Sequence, residues 1–130
     1  MSKESFFLVF VASGVFPISL SYGLFPSQSL VYLYDIEVTN TNLKNIFRAI
    51  MGLYISLVAF WIMGARYKSL QLPALWSLTI FMLGLAVGRL LSLVIDGLPY
   101  PPFVLYMVLE FLFAAVGYKF IHGLNQRQGL

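Results

Sequence analysis

The sequence has no cysteine, a single histidine and very few charged residues. The absence of cysteine from all 130 residues excludes disulfides, thiolate metal sites and cysteine nucleophiles. Charged residues make up 10% of the chain, whereas a soluble domain carries roughly a quarter. Hydrophobic residues make up 60%, and the mean hydropathy is +0.87. A water-soluble fold of this length has too little interior for so much apolar surface, so the composition predicts an integral membrane protein.

Four long apolar runs follow one another along the chain. They cover about residues 6–24, 46–65, 72–95 and 103–121. Each approaches or exceeds the ~20 residues that a helix needs to cross a bilayer core of ~30 Å. Turn-forming residues separate the runs, including Pro99, Pro101 and Pro102 between the last two. The pattern predicts an all-α, polytopic membrane protein in which residues 1–130 form one four-transmembrane-helix bundle.

The basic residues near the ends of these runs predict an orientation. Lys3 precedes the first run, Arg66 and Lys68 separate the second from the third, and Lys119 and Arg127 follow or end the fourth. In a four-span protein these segments share one side, and an excess of Lys and Arg marks the cytoplasmic side. The opposite side carries Asp35, Glu37, Asp96 and Lys44. Both termini are therefore expected in the cytoplasm.

Two opposite charges lie inside apolar runs, where charge is costly. Arg89 is about 10 Å, and Glu110 about 12 Å, from the outer ends of their helices at 1.5 Å per residue. Arg48 and Asp96 also fall in the outer half. Helical spacing places each charge on a small or polar face of its helix. Asn45, Ser92 and Tyr106 share these faces and complete the predicted cluster. We expect the cluster to face the interior of the bundle.

Several roles are open for this cluster. Arg89 and Glu110 can fasten two helices together, since either charge buried alone would be costly. The cluster can instead form a pocket for a ligand or ion, take part in proton-coupled transport, or act in catalysis. Structural pairing is the leading interpretation, and a binding pocket is the leading alternative.

The segment between the first two runs is the longest connection. Residues 31–38 (VYLYDIEV) are apolar and aromatic but too short to span a membrane. Two placements remain open: the segment lies along the outer interface, where tyrosine is favoured, or it folds over the mouth of the bundle.

No motif for catalysis or for a cofactor is present. The sequence lacks a phosphate-binding loop, a nucleophile elbow and carboxylates at catalytic spacing. His122 has no further ligands spaced for a metal. We expect no enzyme activity, no metal, no cofactor and no nucleic acid partner. Trp61, Trp76 and Tyr67 are expected as anchors at the cytoplasmic membrane interface.

Three blocks of sequence resemble a known family. They are residues 48–54 (RAIMGLY), residues 88–99 (GRLLSLVIDGLP) and Glu110. Together they are similar to the pattern of a family of small bacterial four-helix membrane proteins, described as a domain of unknown function. The resemblance implies a four-helix fold in the bacterial inner membrane and implies no reaction. It points to four residues for testing: Arg48, Arg89, Asp96 and Glu110.

These observations lead to one leading functional hypothesis and two alternatives. The leading hypothesis is a non-enzymatic membrane protein that binds a small amphipathic ligand or lipid in a polar pocket of its outer half. The first alternative is an accessory or structural subunit of a larger membrane complex. The second is a small oligomeric transporter. The expected partners are the lipid bilayer and either another membrane protein or further copies of the chain.

Overall fold

Five α-helices make up the fold, a computed structural model that describes residues 1–129. They are α1 (Lys3–Gly23), α2 (Pro26–Tyr34), α3 (Thr41–Arg66), α4 (Lys68–Asp96) and α5 (Pro101–Gln128). All except α2 are long and apolar enough to cross a membrane. The prediction of an all-α fold with four long apolar helices is confirmed.

Local sequence features account for several ends of the long helices. The Ser2 hydroxyl accepts a hydrogen bond from the backbone N–H of Ser5 and caps α1. The Asn40 side chain caps α3 in the same way. Only the extended residue Tyr67 separates α3 from α4, which makes these helices an antiparallel hairpin. Gly97 ends α4 with a φ of 95°, a backbone conformation that favours glycine.

The long helices pack as a chain of neighbours, with α1 on α3, α3 on α4, and α4 on α5. Trp61 and Leu75 are fully buried where α3 meets α4. Gly64 lies so close to Ala74 that a methyl group at position 64 would overlap its side chain. The expectation that Trp61 anchors the membrane interface is wrong, since its ring lies in the core and its Nε1 donates to Ser77 at 3.0 Å.

The short helix α2 covers the end of the bundle at which α4 ends and α5 begins. Its residues Leu30 and Tyr34, and Val38 just beyond it, are buried against the long helices. Asp35 ends α2 in the left-handed conformation, with a φ of 57°. Of the two placements open for this connection, the structure shows the one that folds over the bundle mouth.

Candidate functional site

An ion pair joins α4 to α5 below the cover formed by α2. The Nε of Arg89 donates to Oε1 of Glu110 at 2.8 Å. The side chains are 22% and 10% exposed, so the pair is largely withdrawn from the surface. Because α4 and α5 run antiparallel, a residue near the end of the first helix lies opposite one near the start of the second. The structure thus brings together the two charges found in the apolar runs.

Aromatic rings surround the guanidinium of Arg89. Its central carbon lies 5.7 Å from the ring centroid of Phe103 and 5.6 Å from that of Tyr106. Both distances suit cation–π attraction, which is strongest where water is excluded. The contact with Glu110 uses the Nε donor of Arg89, and the Tyr22 hydroxyl is a second polar neighbour of the same guanidinium. A guanidinium has five N–H donors, so most of them are available to another acceptor.

Tyr34 ties the α2 cover to this aromatic group. Its hydroxyl is 2.8 Å from that of Tyr106 and 2.9 Å from Oγ of Ser21. Its ring also stacks on Phe103, with 5.0 Å between the centroids. The same two rings therefore contact both Arg89 and the cover. Sequence reasoning did not select Tyr34; the spacing of Leu30, Tyr34 and Val38 was the available signal.

A partly open cavity of about 310 Å³ lies beside the ion pair. Arg89 and Glu110 form part of its wall, and the remaining walls are almost entirely apolar. The apolar lining includes Val15, Ile18, Met82, Leu85, Leu109 and Phe113. Phe10, Ser13 and Gly14 of α1 line the cavity and are also exposed at the surface, so the opening runs along α1. The shape suits an apolar group whose polar end reaches the ion pair.

Residues 4–120 match the model of the family described as Domain of unknown function (DUF4345). The chain belongs to the DUF4345 family. This confirms the resemblance to a domain of unknown function. No curated protein and no solved structure matches the chain.

In this DUF4345 chain, Arg89 also borders two further cavities. One, of about 200 Å³, lies between α4 and α5 and includes Ser92 and Phe103. The other, of about 430 Å³, lies against α3 and includes Tyr54 and Gly88. Arg89 therefore lines three cavities, and the predicted supporting residues Ser92 and Tyr106 each line at least one of them.

Arg48 lies apart from the ion pair in this DUF4345 chain. Its Nη1 donates to the backbone carbonyls of Gly23 and Leu24, at 3.0 and 3.3 Å. These carbonyls end α1, where a positive charge is favourable. Asn45 is exposed on the same helix. The inward orientation expected for this face of α3 is therefore corrected.

The physical reason for that correction is the helical phase of α3. Its buried positions are Tyr54, Val58, Trp61 and Gly64. The polar stripe that carries Arg48 lies on a different face and is exposed. A polar stripe can meet neighbouring backbone groups as well as a bundle interior, and periodicity alone does not distinguish the two.

Asp96 also lies outside the paired centre. Its Oδ2 accepts a hydrogen bond of 2.9 Å from Ser92 one turn earlier, and both residues are exposed at the end of α4. Within residues 1–129, Arg48 and Asp96 thus make no hydrogen bond to Arg89 or Glu110. The candidate site of this chain consists of the ion pair, the rings of Phe103 and Tyr106, and the adjoining cavity.

Proposed function

We propose that the chain is an integral membrane protein whose cavity beside Arg89 and Glu110 binds a small amphipathic molecule or lipid. Four helices of sufficient length and apolarity support membrane insertion. Large apolar side chains that are exposed on their surfaces, such as Ile80, Leu91 and Leu112, support contact with lipid.

The proposed orientation places both termini in the cytoplasm of a bacterial cell, with the protein in the inner membrane. The support is the grouping of basic residues at one end of the bundle. Arg66 and Lys68 lie at the α3–α4 junction, and Arg127 of α5 pairs with Glu4 of α1 at that same end. An excess of Lys and Arg is typical of cytoplasmic segments. The Arg89–Glu110 pair then lies in the outer half of the membrane.

The observation that carries the binding proposal is an ion pair on the wall of an open apolar cavity. A buried ion pair offsets its desolvation cost only when further hydrogen bonds satisfy its remaining donors and acceptors. Here the cavity adjoins the pair, and most donors of Arg89 are available. A ligand with an acceptor group would reach Arg89, while its hydrocarbon portion would occupy the apolar walls and pass out along α1. We propose no catalytic step for this site.

A second candidate function is an accessory subunit that packs against another membrane helix. Gly84 and Gly88 support it, because they are exposed on α4 and a Cβ at either position would meet no atom within 4 Å. Small residues four positions apart allow close approach of transmembrane helices. Native mass spectrometry after purification in mild detergent tests this candidate. A protein that is monomeric and without partners would contradict it.

The binding proposal is tested with a fluorescent polyene fatty acid and the purified protein in mild detergent. Gly14→Leu places a side chain in the cavity, where the structure leaves space around the glycine. Gly52→Leu is the matched control, since Gly52 also has open space but does not line this cavity. We expect Gly14→Leu to weaken binding at least tenfold and Gly52→Leu to leave it unchanged. Equal binding by both variants would contradict the proposal.

A further inference from the structure

A second polar centre lies at the opposite end of the bundle from Arg89. Glu4 in the first turn of α1 is only 1% exposed, and its carboxylate pairs with Arg127 near the end of α5. This contact joins residues from the two ends of the described chain. A carboxylate withdrawn from water needs such a partner, so the pair organises the surrounding side chains.

Buried hydrogen bonds shape the wall next to this pair. The Gln71 amide donates to Oγ of Ser5 at 3.0 Å and to Oγ of Ser2 at 3.3 Å. The Ser5 hydroxyl in turn donates to the backbone carbonyl of Ala65 at 2.9 Å. Ser5 and Gln71 are both buried. The network links α1, α3 and α4 and holds this polar wall in a defined shape.

These groups border a cavity of about 510 Å³, which we call the basal cavity. Its lining carries three basic residues, Arg66, Lys68 and Arg127, and one acidic residue, Glu4, an excess of two positive charges. Within residues 1–129, neither Arg66 nor Lys68 has an ion-pair partner. Lys68 is also the first residue of α4, where free backbone N–H groups favour an anion. The lining of the basal cavity therefore carries a net positive charge.

We propose that the basal cavity binds the phosphate group of an anionic phospholipid. The proposed membrane orientation places the cavity at the cytoplasmic surface, where such headgroups are found. Exposed aromatic residues of the kind enriched at membrane interfaces lie toward this end, namely Tyr67, Trp76 and Tyr118. Basic pockets between transmembrane helices on this side are suited to phosphate headgroups. This site is separate from the cavity beside Arg89 and does not depend on a ligand there.

The test compares dioctanoyl phosphatidylglycerol with dioctanoyl phosphatidylcholine, each added to the purified protein in detergent. Native mass spectrometry counts bound lipid, and thermal unfolding reports stabilisation. The double variant Arg66→Gln/Lys68→Gln removes two charges of the basal cavity. The double variant Lys44→Gln/Lys119→Gln is the matched control, because it removes the same net charge from residues outside the cavity. A parallel arm with glycerol phosphate distinguishes a free phosphate compound from a lipid headgroup.

We expect the unmodified protein to bind phosphatidylglycerol more tightly than phosphatidylcholine. The cavity double variant should lose about thirtyfold in affinity, since each basic residue near a membrane surface contributes about a factor of five. The control variant should bind as the unmodified protein does. Equal affinity for the two lipids, or equal losses in both variants, would overturn the proposal. If glycerol phosphate bound as tightly as the lipid, the ligand would be a free phosphate compound, which would contradict the proposal of a lipid headgroup.

Discussion

Arg89 of α4 and Glu110 of α5 meet at the interface between these two antiparallel helices, where a hydrogen bond of 2.8 Å joins them. The contact brings together the two charges that interrupt the third and fourth apolar runs. It also borders a cavity with apolar walls. The pair thus links two helices and also presents a polar group to the cavity. Its effect on stability and its effect on ligand binding can be measured separately.

The structural contribution of the pair is measured by a double-mutant cycle. Arg89→Ala and Glu110→Ala should each lower the free energy of unfolding by about 3 kcal/mol, because each leaves a largely buried charge without its partner. The double variant should cost less than the sum, by about 1 kcal/mol or more. Denaturant unfolding in detergent provides the measurement. As a control, Arg48→Ala and Glu110→Ala should be additive, since Arg48 contacts backbone carbonyls instead. Additivity in the Arg89–Glu110 cycle would contradict a fastening role.

The close contact between α3 and α4 predicts a strong effect at Gly64. A methyl group there would overlap the Ala74 side chain and lie 3.1 Å from the carbonyl oxygen of Leu70. Gly64→Ala should lower the free energy of unfolding by about 1–3 kcal/mol, because the helices would have to separate. Gly52→Ala is the matched control and should be neutral or stabilising, since its position is open and alanine favours helices. Equal thermal stability of the two variants would show that the helices do not approach closely at Gly64.

The attachment of α2 predicts a specific role for the Tyr34 hydroxyl. Tyr34→Phe removes the contacts to Ser21 and Tyr106 and keeps the ring on Phe103. We expect a loss of about 1 kcal/mol in the free energy of unfolding and faster hydrogen exchange in α2. Tyr32→Phe changes an exposed neighbour on the same helix and should leave both measurements unchanged. A similar response in the two variants would mean that the hydroxyl contacts do not hold the cover in place.

The proposed orientation is checked with single introduced cysteines, for which the cysteine-free sequence is well suited. Gln128→Cys at the end of α5 should react with a membrane-impermeant maleimide only after the cells are opened. Leu98→Cys, at an exposed position between α4 and α5, should react in intact outer-membrane-permeabilised cells. The basic residues near the termini provide the physical reason. The opposite labelling pattern would reverse the orientation.

Much of the fold could be predicted from composition and periodicity. The four long apolar helices correspond to runs of hydrophobic residues whose length and interruptions are visible in the sequence. Glu110, Ala114 and Gly117 also share a small or polar face of α5, and this face is buried as expected. The equivalent argument failed for α3, because the exposed stripe containing Arg48 meets the end of α1 instead of the bundle interior.

The class of the fold, the number of long helices and the presence of two opposite charges within them can be read from the sequence, because they follow from local composition and helical spacing. Which groups come into contact is visible only in the folded structure. The contacts of Tyr34 with Tyr106, and of Glu4 with Arg127, join residues that are far apart along the chain. Such contacts depend on how the helices rotate and cross, which is set by the packing of all the side chains together. The cavities arise in the same way, as spaces that this packing leaves unfilled.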